Sequence, residues 1–209
     1  QRAFATSDLV FLAAPIHAIR RWLDPALTYA ALVTDCGSTK RELWRTARAS
    51  PAGARFVPGH PMAGIGAGAA RGGPAAELFE GWPWILCPEG VDPRALEAVE
   101  QLVSLVGARP VHMAAIQHDW AVALTSHAPR IAASVLTALV EREGAFVAAG
   151  PAFERLMRGA GGSPEMWRDV LETNADQVAR ALRVVVAALG ACADELEQGE
   201  VGRSLETLA

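Results

Sequence analysis

Short apolar stretches alternate with helix-like stretches in the first half of the chain. Continuous apolar runs such as Leu9–Ala14 and Ala31–Thr34 are typical of parallel strands that are buried on both faces. Further strands are predicted at 55–57, 84–87 and 109–112, and helices at 17–27, 39–49 and 92–105. A Gly/Ala/Pro-rich stretch from Pro58 to about Pro74 predicts a long loop. Because strands alternate with helices, the pattern predicts an α/β sheet.

The second half has a different pattern, with no convincing strand after residue 114. Apolar residues at three- and four-residue spacing predict one long helix over Ala115–Glu141. Pro129 lies inside it and removes one backbone hydrogen bond, so we expect a kink there. Ser163 and Pro164 are typical of an N-cap and a first helical position. Further helices are predicted at 146–158, 164–190 and 191–200.

Size and charge narrow the class of protein. The chain has 209 residues, of which 51% are hydrophobic and 20% charged, a balance typical of globular proteins and not of disordered ones. Its length allows one large domain or two small ones. The formal net charge of −4 disfavours a nucleic-acid partner, because sequence-independent binding to phosphates favours a basic protein.

The cysteines and apolar runs indicate a cytoplasmic protein without a metal site. Cys36, Cys87 and Cys192 are widely spaced, and three reduced thiols explain them better than a disulfide framework. No Cys/His cluster has the spacing of a zinc site. No apolar run reaches the roughly 20 residues that span a bilayer, so we expect no membrane partner. The apolar stretch near the N-terminus contains Asp8, which argues against a signal peptide.

One glycine motif resembles a dinucleotide fingerprint, but its context is wrong. Residues 64–69 fit G-x-G-x-x-A. A true fingerprint directly follows a buried strand and opens a helix. Here Pro58, Gly59, His60 and Pro61 intervene, and no acidic residue closes a second strand about 20 residues later. A loop over a site explains this segment better.

The ends of the predicted strands hold more informative residues. Ligands of open parallel sheets bind beyond the carboxyl ends of the strands. These ends carry Ala14-Pro15, Asp35–Ser38 and Gly59–Pro61. Ser38 can present a hydroxyl at a helix N-terminus, and His60 titrates near neutral pH. The alternative interpretations are an N-cap at Ser38 or Thr39 and a loop histidine at His60.

Three residues of the helical half also have two interpretations. His127 lies on a mostly apolar helix face, where a core histidine is common. Arg158 precedes a glycine-rich turn and is either a solvated helix end or a clamp for a carboxylate. Trp167 lies near a helix start, where packing is the usual role.

Taken in order, these segments resemble the prephenate/arogenate dehydrogenase family. Residues 34–40 resemble the family's D-x-G-S-x-K motif, and residues 59–64 match G-H-P-M-x-G. Residues 126–129 resemble S-H-x-P, and residues 164–169 resemble P-x-M-W-R-D. Two departures bear on substrate choice: glycine and alanine at 66–68, and Arg130 where the family usually has a histidine.

The resemblance implies a Rossmann-type fold and a function. Residues 1–113 would form the C-terminal part of an NAD(P)-binding Rossmann domain, and 114–209 an all-helical substrate and dimerisation domain. The family oxidatively decarboxylates prephenate or arogenate in tyrosine biosynthesis, with NAD or NADP as cofactor, and forms homodimers. Which substrate and which cofactor apply here, and whether tyrosine regulates the protein, stays open.

The resemblance also implies roles for single residues. His60 would be the general base, and Ser38 would bridge substrate, His60 and nicotinamide. His127, Arg158 and Trp167 would bind substrate, with Trp167 contributed by either subunit. The cofactor would contact Ala14, Pro15, Gly37 and Ser38.

The family also opens with a fingerprint that this sequence does not contain, so we expect an N-terminal segment to be missing. A βαβ unit takes roughly 30 residues or more. Two alternatives stay open. One is another Rossmann-type β-hydroxy acid dehydrogenase, and the other is a non-catalytic homologue that serves dimerisation or ligand sensing.

Overall fold

The computed structural model describes residues 2–63, 77–158 and 163–202. Its first half contains six strands and four helices. The strands are β1 Leu9–Leu12, β2 Leu32–Asp35, β3 Phe56–Val57, β4 Gly59–Pro61, β5 Pro83–Leu86 and β6 Arg109–His112. The helices are α1 Arg2–Ala5, α2 Ile16–Tyr29, α3 Arg41–Ala49 and α4 Pro93–Leu105, with a 3-10 turn at Gly53–Arg55. The alternation of strands and helices that the sequence predicts is confirmed.

The strands form two small sheets. The first has the order β1-β2-β3, with all strands parallel. In the second, β4 pairs with β5 antiparallel and β5 pairs with β6 parallel. Strand β4 was not predicted, because Gly59, His60 and Pro61 include two residue types that disfavour strands. The predicted loop therefore begins with a strand, and its central residues 64–76 lie outside the described part of the chain.

Each sheet packs against helices to form a core. Under the first sheet lie Ile19, Leu23, Leu27, Leu43 and Phe56, all fully buried. A second core contains Trp84, Leu86, Val99 and Val103, from β5 and α4. Helix α4 begins at an Asp92 N-cap that accepts hydrogen bonds from two backbone N–H groups, which is the capping chemistry a short aspartate favours.

Strand β1 is less buried than its apolar sequence predicts. Leu12 is 8% exposed, but Phe11 is 42% exposed. Among the described residues β1 pairs with β2 alone. The expected burial is therefore found at Leu12 but not at Phe11.

The second half contains helices and no strand in its described residues, 114–158 and 163–202. Its elements are α5 Ala115–Val122, a π-helical turn Ala123–His127, α6 Ala128–Arg142, a 3-10 turn Ala145–Ala148, α7 Pro151–Arg158 and α8 Pro164–Glu197. The single helix predicted for 115–141 is interrupted by the π turn. This turn ends two residues before Pro129, which lacks the N–H needed for a regular α-helical bond.

Two other helix boundaries also differ from the sequence-based prediction. The segment predicted as one helix at 146–158 is a 3-10 turn followed by α7. Helix α8 joins the two predicted helices, although Asn174 has non-helical backbone angles of φ −137° and ψ 22°. The predicted start of α8 is confirmed, since Ser163 Oγ accepts a hydrogen bond of 3.1 Å from Met166 N.

Helix α8 connects the two halves through polar side chains. Thr173 Oγ1 lies 2.8 Å from Thr39 Oγ1. The Asp176 carboxylate accepts hydrogen bonds from both terminal guanidinium nitrogens of Arg41, and the bond from Nη1 is 2.6 Å long. His17 Nε2 of α2 lies 2.8 Å from a carboxylate oxygen of Glu172. The amino-terminal half of α8 is thus fixed over the ends of strands β1 and β2.

No described helix is both long enough and apolar enough to cross a membrane.

Candidate active site

A buried ion pair organises the strand ends. Asp35, the last residue of β2, pairs with Lys40, and both side chains are 0% exposed. The second carboxylate oxygen of Asp35 accepts a hydrogen bond of 3.0 Å from Gly59 N. Lys40 Nζ donates to Gly59 O at 2.7 Å. Two opposite charges therefore fix the end of β2 against the start of β4.

Two glycines allow this close packing. A Cβ on Gly37 would lie 2.9 Å from the carboxylate of Asp35, and one on Gly59 would lie 2.8 Å from Asp35 O. Both distances are shorter than ordinary contacts, so a side chain would displace the strand ends. Gly37 therefore leaves room for the Asp35 carboxylate, and it also lines the cavity described next.

The carboxyl ends of β1 and β2 border a cavity of about 380 Å³. Three residues of α8 complete its wall: Met166, Asp169 and Val170. Its remaining lining residues are Ala13, Ala14, Pro15, Ile16, Cys36, Gly37 and Ser38. The structure thus brings together the four residues predicted to contact a cofactor. A mostly apolar wall with a few polar groups is typical of small-molecule sites.

A second cavity of about 190 Å³ adjoins the first. His60, His127, Ser126 and Trp167 line it. Ser38, Met166 and Val170 line both cavities. Ser38 therefore stands at the boundary between a strand-end cavity and a histidine-lined cavity, where it was predicted to bridge two ligands.

His60 is held by a second histidine. Its Nδ1 lies 2.9 Å from His118 Nε2, and the two rings meet edge to face. Burial, followed by the charges of His118, Lys40 and His127, lowers the pKa of His60 well below its usual 6.5. At neutral pH the imidazole is therefore uncharged, which is the form a general base requires.

Sequence reasoning missed His118 and Asp119. His118 Nδ1 lies 2.8 Å from Asp119 Oδ1, and both side chains are buried. Burial lowers the pKa of His118 despite the opposing effect of Asp119. An adjacent His-Asp pair on a helix carries no signal of its own, because its partner His60 lies 58 residues away.

Asp119 also corrects the predicted cap of α3. Neither Ser38 nor Thr39 caps this helix; its N-cap position is Lys40, whose own side chain makes no cap bond. Asp119 Oδ1 accepts from Lys40 N at 2.7 Å, and Oδ2 accepts from Arg41 N at 3.0 Å. A carboxylate from α5 thus satisfies the free N–H groups of a helix in the other half.

His127 and Trp167 pack together in the second cavity. Their ring centroids are 5.8 Å apart, and the Arg130 guanidinium lies 4.5 Å from the centroid of the Trp167 ring. His127 Nδ1 lies 3.4 Å from the side-chain amide of Asn174. Burial lowers the pKa of His127 to about 4. Trp167 lines this cavity in its own chain, and its contribution to the site of a partner subunit stays a prediction.

Arg158 is not brought into either cavity. It ends α7 and is exposed, and residues 159–162 after it lie outside the described part of the chain. The residues lining the two cavities do not include it. Its role in carboxylate binding therefore stays a prediction. The glycine motif at 64–69 also lies outside the described residues.

Two of the three cysteines, Cys36 and Cys87, are not poised as nucleophiles. All three are free thiols. Burial raises the pKa of Cys36 to about 11 and that of Cys87 to about 12. Both therefore stay protonated at neutral pH, whereas the thiolate is the reactive form. Within the described segments no three His, Cys, Asp or Glu side chains converge on a possible metal position.

Comparison with known proteins decides the family. The model of the prephenate dehydrogenase nucleotide-binding domain matches residues 1–112. That of the prephenate dehydrogenase dimerization domain matches residues 114–209. The chain belongs to the prephenate dehydrogenase family.

Individual relatives agree with this assignment. The cyclohexadienyl dehydrogenase of Zymomonas mobilis is 30% identical over 199 residues, which are 90% of this chain and 68% of the relative. The prephenate dehydrogenase of Bacillus subtilis is 35% identical over 73% of this chain, which spans only 43% of that relative's length.

A solved structure has the same fold. The prephenate dehydrogenase of A. aeolicus in complex with hydroxyphenyl propionate and NAD+ superimposes with a TM-score of 0.87 at 27% identity. The match covers 97% of this chain and 73% of the other. The Rossmann-like nucleotide-binding domain and the helical second domain of the family are therefore present here.

We expect replacement of Lys40 by methionine to destabilise the protein strongly. Lys40→Met leaves the Asp35 carboxylate buried without its counter-charge, and breaking a buried pair in this way costs about 3–5 kcal/mol. The free energy of unfolding in urea measures this change. Arg142→Met is the control, because Arg142 and Glu143 form a pair that is 71% and 64% exposed and worth at most about 1 kcal/mol. Equal effects of the two substitutions would contradict the organising role of the pair.

His127 should make stability depend on pH. The unfolded histidine takes up a proton near pH 6.5, whereas the folded one does so only near pH 4. Stability is therefore lost as pH falls from 6.5 towards 4, by about 3 kcal/mol for this residue at about 1.4 kcal/mol per pH unit. His127→Gln should remove that part of the loss between urea unfolding at pH 7 and at pH 4.5. An unchanged pH dependence in the variant would show that His127 is not buried as described.

Proposed function

We propose that the protein catalyses the NAD(P)-dependent oxidative decarboxylation of prephenate, or of arogenate. The observation that carries this proposal is the juxtaposition of the two cavities at Ser38. One lies at strand ends, where dinucleotides bind in Rossmann folds, and the other contains the uncharged His60. Family membership and the NAD+ complex of the A. aeolicus relative support the same activity.

The nicotinamide end of NAD(P) fits the first cavity. The 380 Å³ volume lies within the roughly 300–1,000 Å³ typical of small-molecule sites. The backbone of Ala13–Pro15 and Gly37 presents a wall without bulky side chains, and Met166 closes the opposite side. A nicotinamide held there by these residues would supply the hydride acceptor of the reaction. Ser38 can then hydrogen-bond in both cavities.

His60 supplies the base that this reaction needs. Loss of a hydride from the ring carbon that bears the hydroxyl requires the hydroxyl to lose its proton. Since His60 Nδ1 engages His118, Nε2 is the nitrogen left to accept that proton. The ring carboxylate then leaves as CO2, and its electron pair makes the ring aromatic. The phenolate oxygen then takes the proton back from His60, so His60 is neutral again at the end of the reaction.

The remaining predicted residues have binding roles in this proposal. His127 and Trp167 line the second cavity and would contact the substrate ring. Arg158 would bind a substrate carboxylate, a role for which a guanidinium is suited. Two observations support this role: a dicarboxylate substrate needs a cation, and Arg158 lies at a position that resembles the family's carboxylate-binding arginine. Arg158 also ends a helix directly before a glycine-rich segment.

A homodimer completes the proposal. The second half matches a family domain described as a dimerization domain. Its described helices expose many large apolar residues, among them Val135, Leu136 and Leu139 on α6 and Val184, Val186 and Leu189 on α8. Exposed apolar area of this extent is typical of surfaces that bind another protein.

An absorbance assay tests the proposed activity. The full natural protein is incubated with prephenate or arogenate, each with NAD or NADP, and formation of the reduced nicotinamide is followed. We expect turnover with at least one of the four combinations. His60→Asn should lower kcat by about 100-fold or more with little change in KM, because general-base catalysis contributes about 10²–10⁴.

Two results would contradict this account. Absence of turnover in all four combinations would refute the proposed reaction. Turnover by His60→Asn at the wild-type rate would refute the role of His60 as base.

Light scattering tests the proposed dimer. We expect a mass of two chains, and Leu189→Glu on the exposed face of α8 should shift the protein towards monomer, because a buried charge without a partner is costly. Leu105→Glu is the control, since Leu105 is 80% exposed on α4 in the other half. A one-chain mass for the wild-type protein would refute the dimer.

A further inference from the structure

Three side chains form a continuous hydrogen-bonded chain behind the second cavity. Asp119 Oδ1 lies 2.8 Å from His118 Nδ1, and His118 Nε2 lies 2.9 Å from His60 Nδ1. His118 is 1% exposed and Asp119 0% exposed. This series of hydrogen bonds runs from α5 in the helical half to β4 in the first half, and it ends at His60, which lines the second cavity.

The hydrogen-bonding chemistry of these three groups determines which ring nitrogen of each histidine carries the proton. A carboxylate only accepts hydrogen bonds, and Asp119 already accepts from Lys40 N and Arg41 N. His118 must therefore carry its proton on Nδ1 to bond Asp119, which leaves its Nε2 as an acceptor. His60 must then donate from Nδ1. This arrangement leaves the lone pair of His60 Nε2 for the cavity.

We propose that His118 and Asp119 are positioning residues, which hold His60 in the tautomer that accepts the substrate proton and stabilise its charge once it has done so. The inference rests on the proposed function and deepens it. His60 itself would contact the substrate, while the other two residues act only through it.

The charges around His60 give the Asp119 carboxylate particular weight. Burial and the charge of Lys40 disfavour a positive charge on His60, whereas His118 and His127 add to this effect only when they are protonated. Lys40 is neutralised locally by Asp35, and the Arg41 guanidinium is paired with Asp176. From α8, the uncharged Met166, Trp167 and Val170 line the second cavity, and Asp169 lines the first. Asp119 is therefore the negative charge connected to His60 through hydrogen bonds.

The substitution Asp119→Asn tests the tautomer directly. An asparagine whose amide nitrogen takes the place of Oδ1 donates to His118 Nδ1 and loses the hydrogen bond from Lys40 N. The His118 proton then moves to Nε2, and His60 must accept at Nδ1. The proton of His60 then occupies Nε2, and the lone pair is lost from the cavity. In serine-protease triads the same change produces the wrong histidine tautomer and lowers kcat by about 10⁴.

We expect three changes in Asp119→Asn. The kcat falls by about 100-fold or more, KM changes by less than about threefold, and the acid limb of the kcat–pH profile moves to lower pH because His60 becomes less basic. In ¹⁵N-labelled protein at pH 8, the ring signals of His60 show the proton on Nδ1 in the wild type and on Nε2 in the variant. His118→Phe, which keeps a ring but cannot relay, should lower kcat in the same way.

The matched control is Asp176→Asn, which weakens another contact between the halves without touching the chain to His60. A merely structural role of Asp119 would make the two variants alike, with lower unfolding midpoints and an unshifted acid limb. That result would overturn the inference, as would a wild-type His60 protonated on Nε2.

The two proposals fail in different ways. If the wild-type protein turns over neither substrate, the proposed function fails, yet the nitrogen signals still decide the tautomer. If the wild-type protein is active and both Asp119→Asn and His118→Phe match it in kcat and pH profile, only this inference fails. Should Asp119→Asn fail to fold, His118→Phe and the wild-type nitrogen signals decide the question.

Discussion

The buried pair of Asp35 and Lys40 is the constraint on which the site depends. Two charges without solvent are tolerated only when their geometry and additional hydrogen bonds satisfy them, and here Gly37 and Gly59 supply these bonds through their backbones. The pair therefore fixes three things together: the end of β2, the turn before α3 and the start of β4. Ser38 follows Gly37 and His60 follows Gly59, so the positions of both depend on that geometry, and His118 then holds the His60 ring.

The helical half supplies what the sheets lack. Asp119 caps α3 from the other half of the molecule, and Asn174 donates to Asp119 O at 2.8 Å. The non-helical angles at Asn174 and the π turn at 123–127 are departures from regular helix beside the second cavity. Such departures often mark functional sites, because they aim side chains that a regular helix would direct elsewhere. The site is consequently shared between the two halves.

Local sequence signals explain which parts of this arrangement are predictable. Strand ends located Ser38 and His60, since parallel strands place their carboxyl ends together. Strand β4 escaped prediction because its residues favour turns, and the cap of α3 escaped because its acceptor lies 79 residues further along the chain. The roles of His118 and Asp119 could not be predicted, because they depend on contacts with His60 and Lys40, which are distant in the sequence. Tertiary contacts of this kind have no periodicity that a sequence pattern reveals.

A crystal structure of the full natural protein with NAD+ and hydroxyphenyl propionate would show whether His60 and the strand-end cavity have the proposed roles. We expect the nicotinamide beside Ala14 and Ser38, and the phenolic oxygen within about 2.6–3.2 Å of His60 Nε2. We also expect His60 Nδ1 to stay bonded to His118. A phenolic oxygen bound away from His60, or a His60 that has turned from His118 to bind it through Nδ1, would contradict these roles.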